Sequence, residues 1–312
     1  MSTLSVATTA GCRVFLDARE DGVELPGHEV SAPTPARDGT CVAIVDRRAI
    51  WSRSPAGLWS RITTTGFHLE SLVSVQTADC ATSKIFAGAM DEPVMVRVSS
   101  NAAESGPAQR LDAFDRVPGR KEWFAGGPPL GVRSLAATAD GEVVLAGVHV
   151  GGIPRSSDGG ESWSPTIPVL YDVHEVRAHR TRPNFVAAAA AAGLLVSHDA
   201  GETWQLFSEG LAGTTCLALA VLEDEVLFSV QDGPFAERSQ IWRWRIGSEH
   251  LEQVRDGLPE WLEGKVDTAC MTAGNGQAAL VDRGGNLWLS QAGSIDWQRI
   301  AHGVSALGIA ML

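Results

Sequence analysis

The chain has 312 residues, 44% of them hydrophobic, with 33 glycines, 10 tryptophans and a formal net charge of −12. That excess of acid argues against an unassisted nucleic-acid or anionic-membrane surface and otherwise selects no partner. Long helical periodicity is absent, and the apolar fraction is enough for one large domain of repeated sheets spanning residues 1–312. The first residues lack a basic region followed by an apolar signal run. The longest small-residue run, 187–192, is far short of the ~20 residues a membrane span needs. Five cysteines (Cys12, Cys41, Cys80, Cys216 and Cys270) show no zinc-finger spacing and are expected to pack as small apolar side chains. A reducing, cytoplasmic location is the expectation.

Near the start, 4–8, 13–16 and 23–25 read as strands that lack a first partner, and 304–312 reads as an isolated strand after a complete unit. The two ends are expected to complete one sheet together, closing a ring without an open edge. The next unit runs from His28 through 40–45 and 49–52 to 58–62, and the one after from 69–75 through 85–88 and 94–98 to Arg110. A connection over 115–131 then carries Arg120, Lys121, Trp123, Phe124 and three prolines; it should be an ordered surface loop, because Trp and Phe need cover. Residues 132–163 and 173–204 are one unit written twice, with Trp163 and Trp204 41 residues apart. Two further units follow over 214–254, with an insertion at 232–239, and over 266–300; the aromatic loop 258–263 lies between them. A period near 40 with four short apolar runs per copy points to propeller blades. The fold expected is all-β: a seven-bladed β-propeller of four-stranded antiparallel blades, with six blades as the alternative if the N-terminal strands are irregular.

Each clean copy closes on an octapeptide, Ser156-Ser-Asp-Gly-Gly-Glu-Ser-Trp163 and Ser197-His-Asp-Ala-Gly-Glu-Thr-Trp204. Asp158 and Asp199 suit a tight hairpin by capping its backbone amides, and Gly160 and Gly201 leave the turn unhindered. The octapeptides resemble the Asp-box, or BNR repeat, and the whole pattern resembles bacterial BNR-repeat propellers. That group includes sialidase-like proteins, Vps10-type receptors and photosystem II assembly factors. The resemblance implies that the first strand of each blade lines the central channel. It also implies that ligands bind on the face opposite the Asp-boxes, where the boxes themselves are structural turns. Sialidase activity is not implied: an early Arg-Ile-Pro is missing, Ile153-Pro-Arg155 is not that motif, and Tyr171 is the sole tyrosine. The nearest likeness is to cytoplasmic-type members with a Val-x-Val-Gly-Gly loop followed by Asp-Val-His, here Val148–Gly152 and Asp172–His174.

Aligning the first strands gives one equivalent position per blade, held by His28, Glu70, Arg133, His174, Thr215, Asp267 and Ser305. Facing one way, these side chains would ring the channel mouth. His149, Tyr171, Asp172 and Arg155 are expected nearby, and Trp123 and Trp261 lie on loops of that face, suited to ligand stacking. The catalytic candidates are His174, His149, Arg133 and Asp267; the substrate-binding candidates are Tyr171, Asp172, Arg155, Trp123 and Trp261. His28, His174, His149 and Glu70 have ligand types for a divalent transition metal (zinc, iron or copper); without one, no cofactor is called for. The function expected is small-molecule handling at a polar mouth, with a metal-dependent enzyme as its sharpest form. The alternative is a non-catalytic scaffold that binds a protein partner through the same loops.

Overall fold

The computed structural model describes residues 2–76, 82–101, 106–124, 129–233, 235–294 and 296–312. These residues form seven antiparallel sheets in a ring. One sheet takes its inner strand, Ala306–Met311, from the C-terminal end and its other three, Thr3–Thr8, Gly11–Leu16 and Arg19–Glu24, from the N-terminal end. Leu4 pairs with Met311 and Val6 with Ile309, so the two ends close the ring as expected and six blades are excluded. With this closing sheet as blade 1, the inner strands of blades 2 to 7 are Val30–Pro35, Leu69–Gln76, Val132–Ala137, Val173–Ala178, Leu219–Val221 and Met271–Gly274. Blade 6 gains a short fifth strand, Leu262–Glu263, which pairs with Arg238–Arg245. No helix is long and apolar enough to cross a membrane among the described residues.

Second strands such as Cys41–Val45, Val144–Val148 and Val186–Ala190 are buried throughout, because a blade packs both of its faces against neighbours. The alanine run of 187–190 is therefore interior strand. Gly147 shows how tight this layer is: a Cβ there would come 2.3 Å from Ser134 Oγ and 3.3 Å from Val173 of the next blade. The connection after Arg110 forms two short 3-10 turns, Phe114–Arg116 and Arg120–Glu122. Of its expected aromatics Trp123 finds cover, 5.7 Å from Phe114, which in turn meets Trp163 edge-on at 5.1 Å, whereas Phe124 stays half-exposed. Cys12, Cys41, Cys216 and Cys270 are free and buried, and burial pushes the Cys41 thiol up to about 12. Cys80 lies outside the described residues.

Both octapeptides form closed turns. Asp158 accepts from the Ser162 amide at 2.9 Å and from the Ser156 and Ser162 hydroxyls, and Ser156 accepts from the Gly160 amide. Asp199 repeats the pattern with Thr203 and Ser197. Burial raises the Asp158 carboxyl slightly, but the donated hydrogen bonds outweigh it and bring the carboxyl down to about 2.

Along the channel, a side chain from each of blades 3, 4 and 5 reaches the next inner strand. Ser71 Oγ donates to the Val132 carbonyl at 2.6 Å, Ser134 Oγ accepts from the Val176 amide at 3.0 Å, and Glu175 accepts from the Leu219 amide at 2.8 Å. Glu175 also accepts from the Ala269 amide of blade 7 at 3.2 Å and pairs with Arg177. Glu175→Ala leaves two amides and a guanidinium unpaired and should cost about 3–5 kcal/mol, read from denaturant unfolding. An unfolding midpoint equal to wild type would contradict that role. Asp158→Asn should cost about 1 kcal/mol above pH ~4.5. Because the folded carboxyl titrates below its ordinary value, the stability that it contributes is full above pH ~4 and lost toward pH ~2. The two proteins should therefore converge in urea melts as the pH falls across that window.

Candidate functional site

Glu70, Arg133 and His174 occupy an equivalent position for a structural reason that the sequence does not display. In blade 3 the ladder pairs Leu69 with Ala89 and then Ser71 with Gly88, leaving Glu70 out. In blade 4 Val132 pairs with Val148 and Ser134 with Gly147, leaving out Arg133. In blade 5 Val173 pairs with Ala190 and Glu175 with Ala189, leaving out His174. Each is the extra residue of a β-bulge, which breaks the ladder locally and re-aims one side chain. The other four positions differ. His28 and Ser305 precede their strands, and so do Thr215 and Asp267, because the inner strands of blades 6 and 7 start only at Leu219 and Met271.

His149 joins His174 from the loop of the preceding blade. Val148 bridges to Gly152, Val150 takes a positive φ of 42° and Gly152 one of 74°, which turns the chain sharply back. The His149 amide donates to the Gly131 carbonyl at 3.3 Å. Both rings are almost fully buried, with His149 4% and His174 3% exposed, and their centroids lie 6.2 Å apart. Asp172 stands between them: Oδ1 is 3.3 Å from His149 Nε2, and Oδ2 is 3.5 Å from His174 Nε2. One ligand atom from each of the three residues lies within 4.8 Å of the others.

The hydrogen bonds settle how these atoms are used. His174 Nδ1 lies 2.8 Å from the Cys216 carbonyl, which only accepts, so that nitrogen carries a proton, and Nε2 faces Asp172 Oδ2 at 3.5 Å. His149 Nδ1 and Asp172 Oδ1 are buried without a hydrogen-bond partner, since the 3.3 Å approach lacks hydrogen-bond geometry. Arg133 Nε, 3.7 Å from Glu70, is a third such atom. Buried polar atoms without partners are uncommon in folded proteins, and these three lie together at one mouth. Burial lowers the pKa of His149, with the Arg133 and His174 charges adding to the effect and Asp172 opposing it, so its imidazole is neutral near pH 7. Burial raises Asp172, but His174, His149 and Arg133 outweigh it and hold the carboxylate ionised. Two imidazoles and a carboxylate are ligand types that a divalent cation takes.

Other expected members are placed differently. His28 is half-exposed and its Nδ1 is 2.8 Å from Asp46, three blades away from His174; it is not part of the cluster. Glu70, two blades from His174, faces Arg133 rather than the imidazoles, so Asp172 takes the acidic place among the ligand atoms. Burial pushes the Glu70 carboxyl up, Arg133 opposes this, and Asp267 adds to it from across the mouth. Asp267 is itself ion-paired, at 3.3 Å from Lys265 and 3.2 Å from Arg283. Arg155 is bound at the end where the octapeptide turns lie, donating to the Ala200 carbonyl at 3.0 Å and pairing with Glu202, because the third strand runs toward that face. Trp123 is buried against Phe114 and stands behind Gly151, so it supports the His149 loop instead of offering a stacking face. Trp261 is half-buried with the Arg238 guanidinium 4.0 Å from its ring centre. Tyr171 packs on the blade 4–5 core. Gln231, which follows the second strand of blade 6 as His149 follows that of blade 4, is buried with both amide atoms unpartnered. Its place in a loop after a strand was a usable signal that the first-strand alignment passes over.

The ring is similar to those of GH74 enzymes. An ancestral GH74 enzyme superimposes with a TM-score of 0.64 at 12% identity, over 100% of this chain and 40% of that one. The GH74 xyloglucanase from Xanthomonas campestris gives 0.62 at 17% identity, over 96% and 47%. A nidogen/laminin complex gives 0.54 at 8% identity, over 100% and 98%. This chain thus spans less than half the length of the GH74 structures, and identities this low show the fold alone. No protein-family model and no curated protein matches the sequence.

Arg133 restrains Glu70 from 3.7 Å, and an opposite charge at such range shifts a carboxyl by about 1–3 units. Arg133→Met should therefore move the Glu70 titration upward by about one unit or more, followed by carboxyl-carbon NMR. An unmoved midpoint would break the pairing assigned here.

Proposed function

We propose that this propeller handles a small molecule at the mouth formed by blades 3 to 5, with one divalent transition metal held by His149, Asp172 and His174. The reading is carried by the three converging ligand atoms, two of whose residues have buried, unpartnered polar atoms. Two imidazoles and one carboxylate suit zinc or iron(II), with copper the less matched of the three metals considered. Such an ion would supply Lewis-acid polarisation of a substrate oxygen or an activated water. The protein's own groups have separate roles. The Cys216 carbonyl orients His174, and Arg133 holds an anionic part of the substrate. Glu70, with its carboxyl raised by burial, moves the proton, a role that Asp267 is less suited to because Lys265 and Arg283 hold it ionised. The 17% identity to the xyloglucanase carries its fold and not its substrate. The Asp-box turns favour kinship with BNR propellers, and four free, buried thiols favour a reducing cytoplasm.

Elemental analysis of protein purified without added metal tests this directly. About one zinc or iron per chain is expected, lost in His149→Ala and in His174→Ala. Metal-free protein whose melting temperature zinc and iron(II) leave unmoved would refute the metal. A second reading, a scaffold docking a protein partner on the same face, draws on exposed apolar side chains of its loops, Leu170 at 80% and Phe235 at 95%. Under that reading Trp261→Ala weakens partner binding while His174→Ala does not.

A further inference from the structure

The other end of the channel has a different chemistry. The inner strands end there around a cavity of about 220 Å³. Its walls are mostly alanine, valine, leucine and methionine, and its charged residues are Arg37, Arg177 and Arg180, with no carboxylate among the described lining residues. Arg37 comes from the loop after the inner strand of blade 2, and the other two come from the end of blade 5. In a chain of net charge −12, a concave apolar surface carrying cations alone is a departure from the rest of the molecule.

The balance of charge there can be followed group by group. Arg177 is matched by Glu175, which lies behind it in the channel wall. Arg37 makes no ion pair among the described residues; Asp140, whose carboxyl feels the Arg37 charge, accepts from the Thr138 hydroxyl and the Glu142 amide. Arg180 likewise makes no ion pair among the described residues and also borders a neighbouring groove with Glu223, Asp224 and Glu225, of which Asp224 is taken by Arg182. Two guanidinium groups, on blades 2 and 5, thus border one opening without an ion pair among the described residues.

We propose that this mouth, on the side of the octapeptide turns, binds a small organic oxyanion, a carboxylate or a phosphate on a compact apolar body, between Arg37 and Arg180 with Arg177 beneath. Guanidinium groups match either oxyanion through paired N–H donors. The cavity is smaller than the ~300–1,000 Å³ of drug-sized sites, which sets the ligand's scale. Arg177 and Arg180 follow His174 by three and six residues, roughly 10–20 Å along a strand, so this site stands apart from the metal reading and does not depend on it.

Calorimetric titration of the full chain at constant ionic strength, with phenyl phosphate and with benzoate, tests the site. At least one probe should bind with a Kd of about 1 mM or below, and the Arg37→Gln/Arg180→Gln double variant should weaken it about tenfold or more. Both arginines are exposed, so the ligand-free melting temperature should not change. The tighter probe tells a phosphate site from a carboxylate site. Binding of neither probe, or equal binding by the double variant, overturns the proposal. Loss of binding in Arg133→Gln instead would put the anion at the opposite mouth and overturn it as well.

Discussion

Each inner strand of blades 3, 4 and 5 is tied to the next by the side chain one residue past its bulge. Ser71 and Ser134 do this with a hydroxyl, and Glu175 with a carboxylate. The change from serine to glutamate has a local cause. Leu219 opens the inner strand of blade 6 and Ala269 lies two residues ahead of that of blade 7, and the amides of both donate to Glu175. A longer acceptor with two oxygens reaches both, and Arg177 balances its charge. Buried amides require partners, and here one buried carboxylate supplies them to two blades.

Tie and site belong to the same device. The bulge that aligns Ser71, Ser134 and Glu175 with the next blade is what releases Glu70, Arg133 and His174 from the ladder and turns them to the mouth. The residues opposite the bulges are small because the neighbouring inner strand passes there. Gly88 and Gly147 leave room for Val132 and Val173, and Ala189 stands at the matching place in blade 5. Packing between blades thereby fixes the directions of the side chains at the mouth before any ligand arrives, which is the condition for a preorganised site.

The channel has opposite characters at its two ends. One gathers imidazoles and carboxylates with three unpartnered polar atoms; the other gathers guanidinium groups over apolar walls. A single strand, Val173–Ala178, contributes to both ends: His174 near its start, Arg177 near its finish, and Glu175 between them as the tie. The ring form makes this possible, because strands from distant parts of the chain converge on one axis.

Periodicity, turn residues and the unmatched strands at the two ends, each a local pattern, were enough to favour seven blades over six, and the pairing of Leu4 with Met311 decided between them. The residue types at the mouth were also legible, and His149, Asp172 and His174 were among those named. Which of them meet was not. Bulges leave no mark in a single sequence, so the strand alignment grouped His28 and Asp267 with His174, although Asp46 holds the first and Lys265 and Arg283 the second. Trp123 reads as a loop residue, and only packing against Phe114 shows that it is core. Blade repeats are set by nearest neighbours along the chain, whereas a site is set by register and by contacts between blades, and those exist only once the ring has closed.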